Sequence, residues 1–401
     1  MRKTSQLSNL YRRAGATLFI LFVYMLGSFI PIPFAKVTRQ FVHAVDSTPA
    51  SIMSFMSGAN FQHLSLFMIG LNPMMIAMLF MQLLMMTRLF GFDTLSMDQM
   101  NEVQQFLILV LAVVQATGFT VAFHLTSSTF QTLAVITILT AGAMFVTWLG
   151  IMNMRFGIGG TVTIILFNII SSSIPMIRRA VKQILKLNNA YVWLTLLIIL
   201  VAFLAVFWIA FSRAYYPLKT INTSLSSKEK PVIVPIGLNM GAMMMYMVGM
   251  ALLVMPTFLA SLLGPKSIFA NPKFDALISG ILSFGLFYFF SFVQFSPRQK
   301  AKEFRNSNTY IPNIHPGKPT QRYLTKLMWL LCLPGAILNT IQLVFGLMGS
   351  QFLGKYASLT IIPMNVVMIV MIMGGVRDTL LTLIFPQKYE KLAKSERREM
   401  Q

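Results

Sequence analysis

Residues 64–87 read LSLFMIGLNPMMIAMLFMQLLMMT and carry no charge. A helix crossing the ~30 Å hydrocarbon core of a bilayer needs about 20 mostly apolar residues, so this run is long enough to span. It is also marked: seven of its residues are methionine, and Gly70-Leu71-Asn72-Pro73 interrupts its helical pattern near the start. Working outward, comparable runs occur at about 14–34, 105–125, 130–152, 160–177, 190–211, 238–262, 276–295, 327–347 and 359–376, which makes ten spans. The expected fold class is an all-α polytopic membrane protein. Composition points the same way: of 401 residues, 56% are hydrophobic and 11% charged, against about 25% charged in soluble domains. A soluble globular enzyme is excluded. The one cysteine, Cys332 inside an apolar run, excludes a disulfide framework and a thiolate metal site.

The charges set the orientation. The chain has 32 Lys+Arg against 11 Asp+Glu, a net +21. With the N-terminus inside, 23 of the 32 basic residues fall in inner segments, as the enrichment of Lys and Arg in cytoplasmic loops requires. The run at 14–34 follows Arg12-Arg13, which resembles a signal-peptide n-region; its length and the spans after it make it a retained first span. An even number of spans places both termini in the cytoplasm. Against the rule, Arg178, Arg179, Lys182 and Lys186 fall in an outer segment, where the four-residue spacing of Arg178, Lys182 and Lys186 fits one helical face whose stems snorkel to headgroups.

None of the 43 charged residues lies well inside a span. Ion-coupled carriers and proton pumps keep an ionisable residue at mid-membrane, and intramembrane hydrolases need convergent acids, bases or metal ligands. His43, His63, His124 and His315 offer no pair placed for a metal, and no Gly-x4-Gly-Lys-Ser/Thr loop is present for ATP. The expectation is a non-enzyme without metal or cofactor that conducts passively, its energy supplied by a partner.

Residues 41–63, FVHAVDSTPASIMSFMSGANFQH, are too polar and broken to span. They fit either a half-helix folded back into a protein-lined cavity or an ordinary extracellular loop. Methionine concentrates in three spans, at 64–87, 238–262 and 359–376, which hold 18 of the 31. Those spans also carry Asn72-Pro73, Asn239 with Gly241, and Pro363 with Asn365, while Asn168 marks the fifth. Methionine re-packs around differing shapes, and an apolar constriction holds back water and ions by dewetting. Either these spans line a pathway for a large, varied passenger, or their methionines only face lipid. On the cytoplasmic side, SPRQKAKEFRNSNTYIPNIHPGKPTQRY at 296–323 reads as a docking loop for an acidic partner or as a solvated, topology-setting charge run.

Five motifs, in chain order, resemble the SecY family. Leu26-Gly27-Ser28-Phe29-Ile30-Pro31-Ile32-Pro33 is similar to the end of its first helix, and Phe55-Met56-Ser57-Gly58 through Gly70-Leu71-Asn72-Pro73 to its plug and second helix. Gly157-Ile158-Gly159-Gly160 resembles the motif before its fifth helix, Leu238-Asn239-Met240 the start of its seventh, and Ile311-Pro312-Asn313-Ile314-His315-Pro316-Gly317-Lys318 its eighth-to-ninth loop. The resemblance implies a protein-conducting channel of two pseudo-symmetric five-helix halves, residues 1–187 and 188–376, with a cytoplasmic tail at 377–401. The implied pore ring is Leu71, Met75, Leu166, Ile170, Met247 and Met368. The implied plug, within about 47–62, is Ser51, Ile52, Met53, Ser54, Phe55, Met56, Ser57 and Gly58. The implied motor-docking loops carry Arg213, Lys219, Lys228 and Lys230, then Arg298, Lys300, Lys302, Arg305, His315 and Lys318.

The sequence departs from the family pattern in a short, weakly basic loop after the sixth span. It also has His315 where an Arg is usual, Asn313 where Gly is usual, and Gly160-Thr161 where Asn-Gly is usual. These changes resemble the accessory SecY branch of Gram-positive bacteria. That branch implies a dedicated SecA-type ATPase, small SecE- or SecG-like membrane subunits or accessory Sec proteins, and secreted serine-rich glycoproteins as cargo. It implies the cell membrane as location, with lipid but no nucleic acid as a partner. The alternatives are a housekeeping SecY and, more distantly, a lipid or oligosaccharide flippase, which would need a charged headgroup cavity. Deleting Ser51–Gly58, or making Leu71 and Leu166 polar, is expected to raise ion leak in planar bilayers; unchanged conductance would count against a sealed polypeptide channel.

Overall fold

With no water to bond to, backbone in a bilayer satisfies itself most simply as helix, and the apolar runs do so. The computed structural model describes residues 2–35, 64–87, 96–122, 125–126, 128–186, 189–222, 232–246, 272–353 and 357–384. Its helices are α1 (Arg2–Phe29), α2 (Asn72–Thr87), α3 (Met97–Ala122), α4 (Thr129–Phe156), α5 (Gly160–Ile184) and α6 (Ala190–Ser212), followed by α7 (Ala242–Met244), α8 (Pro272–Gln294), α9 (Pro297–Asn306), α10 (Lys318–Leu353) and α11 (Ala357–Ile384). Strands β1 (Tyr215–Asn222) and β2 (Val232–Gly237) lie between α6 and α7, and β3 (Thr309–Tyr310) follows α9.

Among the described residues, eight helices are long and apolar enough to cross a membrane. The other two of the ten expected spans differ in kind. Most of 238–262 lies outside the described residues, and 64–87 is helical only from Asn72. Leu64–Leu71 is irregular, because Gly70 takes a left-handed φ of 60° and Pro73 has no N–H to give a preceding turn. This stretch is nonetheless deeply buried: Phe67, Met68, Ile69 and Leu71 are at most 1% exposed. Its backbone is satisfied by the end of α1, where Ile32 N–H donates to the Leu64 carbonyl and Leu66 N–H to that of Ile30, both at 3.0 Å.

Packing then fixes that stretch. Tyr24 of α1 stacks on Phe67 with ring centroids 5.7 Å apart, and Phe67 on Phe145 of α4 at 5.9 Å. Gly27 lies against the Phe67 ring and Gly142 against the Leu66 carbonyl, so a Cβ at either would collide. Helices α2, α3, α4 and α5 pack in succession with α1 against α4, whereas α11 gathers α6 and α10, and α8 lies on α10. The main contact between these two groups is α5 on α11.

The turn joining α4 to α5 is clamped from several sides. Asn153 Nδ2 donates to the carbonyls of Ile158 (3.2 Å) and Gly160 (2.7 Å), and Thr163 Oγ1 to that of Ile158 (2.7 Å). From α1, Thr17 Oγ1 accepts the Ile158 N–H at 2.8 Å. Gly159 and Gly160 take φ of 76° and 58°, conformations that β-branched residues do not adopt without strain. Asn153 is fully buried, so Asn153→Ala removes two buried hydrogen bonds and leaves the Ile158 carbonyl only its bond from Thr163. It should lower stability by about 1–3 kcal/mol, read as a fall in the thermal midpoint in detergent. Thr137→Ala, which removes only an exposed bond within α4, should leave the midpoint unchanged.

Candidate functional site

Two regions carry the residues singled out from the sequence. The first is the buried centre. Leu71 is fully buried, Met75 is 6% exposed and Met368 1%; all three belong to one apolar core shared with Ile164, Ile165 and Met364, and Leu166 packs against it. Ile170 is 45% exposed while its neighbour Ile169 is fully buried. Met247 and Ser51–Gly58 lie outside the described residues.

No Asp, Glu, Lys, Arg or His is buried among the described side chains; the buried polar groups there are hydroxyls and amides. Several of these form contacts between helices. Asn339 Nδ2 of α10 donates to Asn239 Oδ1 at 2.7 Å and to the carbonyl of Gly335 at 2.7 Å, and Asn239 Nδ2 donates to Met371 Sδ of α11 at 3.4 Å. Asn365 Nδ2 of α11 donates to Ser173 Oγ of α5 at 2.9 Å. Asn239 and Asn365 are residues that the sequence marks as polar breaks in methionine-rich spans. Their partners Asn339 and Ser173 went unmarked, although an amide in the ninth apolar run was a visible signal.

The second region lies outside the spans and adds a small sheet to a mostly helical chain. Both loops expected to dock a partner contain strands, and they join in one antiparallel sheet of order β2-β1-β3. Tyr215 to Thr220 pair with Gly237 to Val232, and Ile221 and Asn222 pair with Tyr310 and Thr309. The reason is visible in the burial: Leu218, Thr220 and Ile236 turn inward and are at most 3% exposed, while Tyr215, Ile221 and Ile233 on the other face are 58%, 40% and 53% exposed. This is the period-two alternation of a half-buried sheet. Pro217, which lacks an N–H, sits where β1 has a neighbour on one side only.

Next to the sheet, α9 begins with Pro297, whose fixed φ suits a first helical position. Pro297, Ala301 and Phe304 form its buried stripe. Arg298 and Arg305 are exposed and Lys302 half-buried, and Lys300 forms a 2.6 Å ion pair with Glu303. That pair is exposed and adds little stability. Arg213, Lys219, His315 and Lys318 are exposed, and Lys228 and Lys230 lie outside the described residues. The arrangement is a basic surface of two loops held as one unit. A cysteine pair at Ile221 and Tyr310, in a Cys332→Ala background, should therefore cross-link on oxidation; Ile221 with Thr309, one residue out of register, should not. The reverse pattern on a gel would refute the pairing.

The SecY family profile matches residues 65–375 of this chain. The accessory Sec system protein translocase subunit SecY2 of Lactobacillus johnsonii is 47% identical over 388 residues, covering 97% of this chain and 98% of that protein. The SecY2 of Streptococcus salivarius is 26% identical over 409 residues, covering 98% and 100%. Among solved structures, one described as "The structure of a protein conducting channel" superposes with a TM-score of 0.57 at 14% identity, covering 94% of each chain.

Proposed function

The chain belongs to the SecY family, and we propose that it is the channel subunit of an accessory Sec translocase exporting a restricted set of surface proteins, serine-rich and glycosylated, across the cytoplasmic membrane. A SecA-type ATPase docks on the basic face made by the sheet and α9, and small membrane subunits flank the channel. The passenger threads between Leu71, Met75, Leu166, Ile170, Met247 and Met368, and the segment about Ser51–Gly58 seals the outer side at rest. Residues 1–187 and 188–376 act as two halves that part toward lipid. Both termini face the cytoplasm.

The observation that carries this reading is that no Asp, Glu, Lys, Arg or His is buried among the described side chains. A carrier needs a charged site for its coupling ion, and a flippase needs polar partners for a headgroup. An interior of apolar, thioether, hydroxyl and amide groups offers no charged site for a coupling ion or a headgroup, but it grips no passenger side chain tightly and resists ion flow. The 47% identity to an accessory SecY2 along almost the whole chain supports the accessory branch over the housekeeping one. Removing the gene should leave growth intact while one or a few surface glycoproteins accumulate inside the cell. Loss of secretion in general, with loss of viability, would refute the accessory assignment.

A further inference from the structure

The contact of α5 with α11 joins the group of helices from the first part of the chain to that from the second. Through it passes a short chain of hydrogen bonds: Asn365 Nδ2 donates to Ser173 Oγ at 2.9 Å, and Ser173 Oγ donates to the Ile169 carbonyl at 2.6 Å. Asn365 and Ser173 are each 5% exposed, and Ile169, Met364, Val367 and Met368 around them on the two helices are at most 1% exposed. Asn365 Oδ1 has no hydrogen-bond partner among the described residues. Away from water, neither group can exchange this bond for hydration, so separating the helices leaves an amide and a hydroxyl bare in an apolar wall.

The location matters for the proposed ring. Ser173 lies three residues beyond Ile170 on α5, and Asn365 three residues before Met368 on α11, about one helical turn in each case. The two helices cross the membrane in opposite directions on the expected topology, so both groups sit just outside the ring, on the same level. Leu166 and Ile170 ride on α5 and Met368 on α11. Widening the constriction by parting these two helices breaks the bond.

We propose that the Asn365–Ser173 hydrogen bond is a latch that biases the constriction toward its closed state. It deepens the channel reading and rests on it. The test is resting conductance of the full chain, purified with its co-purifying membrane subunits, in planar bilayers. Ser173→Ala and Asn365→Leu should each raise resting conductance about three- to tenfold, the range that interhelical hydrogen bonds in membranes support. The double variant should go no higher, and Ser173→Thr, which keeps the hydroxyl, should stay near wild type. Ser173→Ala removes one atom, so poor folding of the Asn365 variant would not decide the matter. Deletion of Ser51–Gly58 is the reference leak. If that deletion leaks while both single variants match wild type, or if the double variant is additive, the latch is wrong and the channel reading stands. If the deletion is also silent, the channel reading falls and the latch with it.

Discussion

A backbone N–H or carbonyl inside a bilayer has no water to turn to, so each non-helical stretch needs a protein wall around it. That requirement organises this chain. Leu64–Leu71 gives up helical bonding and is accepted only because the end of α1 pairs with it and α4 and α1 supply aromatic rings on either side. The α4–α5 turn is accepted because Asn153, Thr163 and Thr17 bond its exposed peptide groups. The approach to α7 is accepted where Asn239 meets Asn339 and Gly335 lets the Leu238 carbonyl come close. Breaks in helix and buried amides therefore occur together, and they occur in the spans on which the proposed pathway depends.

The same requirement explains what could be read from the sequence. Span positions were legible because apolar length is a local property, and the described helices mostly extend the apolar runs by a few polar residues at their ends. The breaks were legible as residues, but not as structures. Asn72-Pro73 is visible in the chain, yet the burial of the irregular segment before it depends on α1 and α4. Thr17, Asn339 and Ser173 were missed because each acts on a partner 100 or more residues away, a separation no local pattern encodes. The strands were missed because their short alternating runs sit inside charged loops, and β3 is only two residues long.

Two departures from the family pattern take on a plain meaning in the structure. Asn313 has φ 62° and Gly160 φ 58°, the left-handed region that Gly and Asn both enter readily. Exchanging Gly and Asn at these sites preserves the turns. His315 is different, since an exposed imidazole replaces the planar five-donor fork of an Arg with at most two ring N–H donors. Of the residues quoted as departures, His315 is the one that alters the chemistry of the basic face.

The central claim is that this chain conducts polypeptide at the expense of a partner's ATP. Proteoliposomes holding the purified chain and its membrane subunits, supplied with a cognate SecA-type ATPase and a serine-rich glycoprotein, measure that directly. The account predicts cargo that becomes protected from added protease only with ATP and only when the chain is present. ATP hydrolysis with no more protected cargo than in liposomes lacking the chain would contradict it.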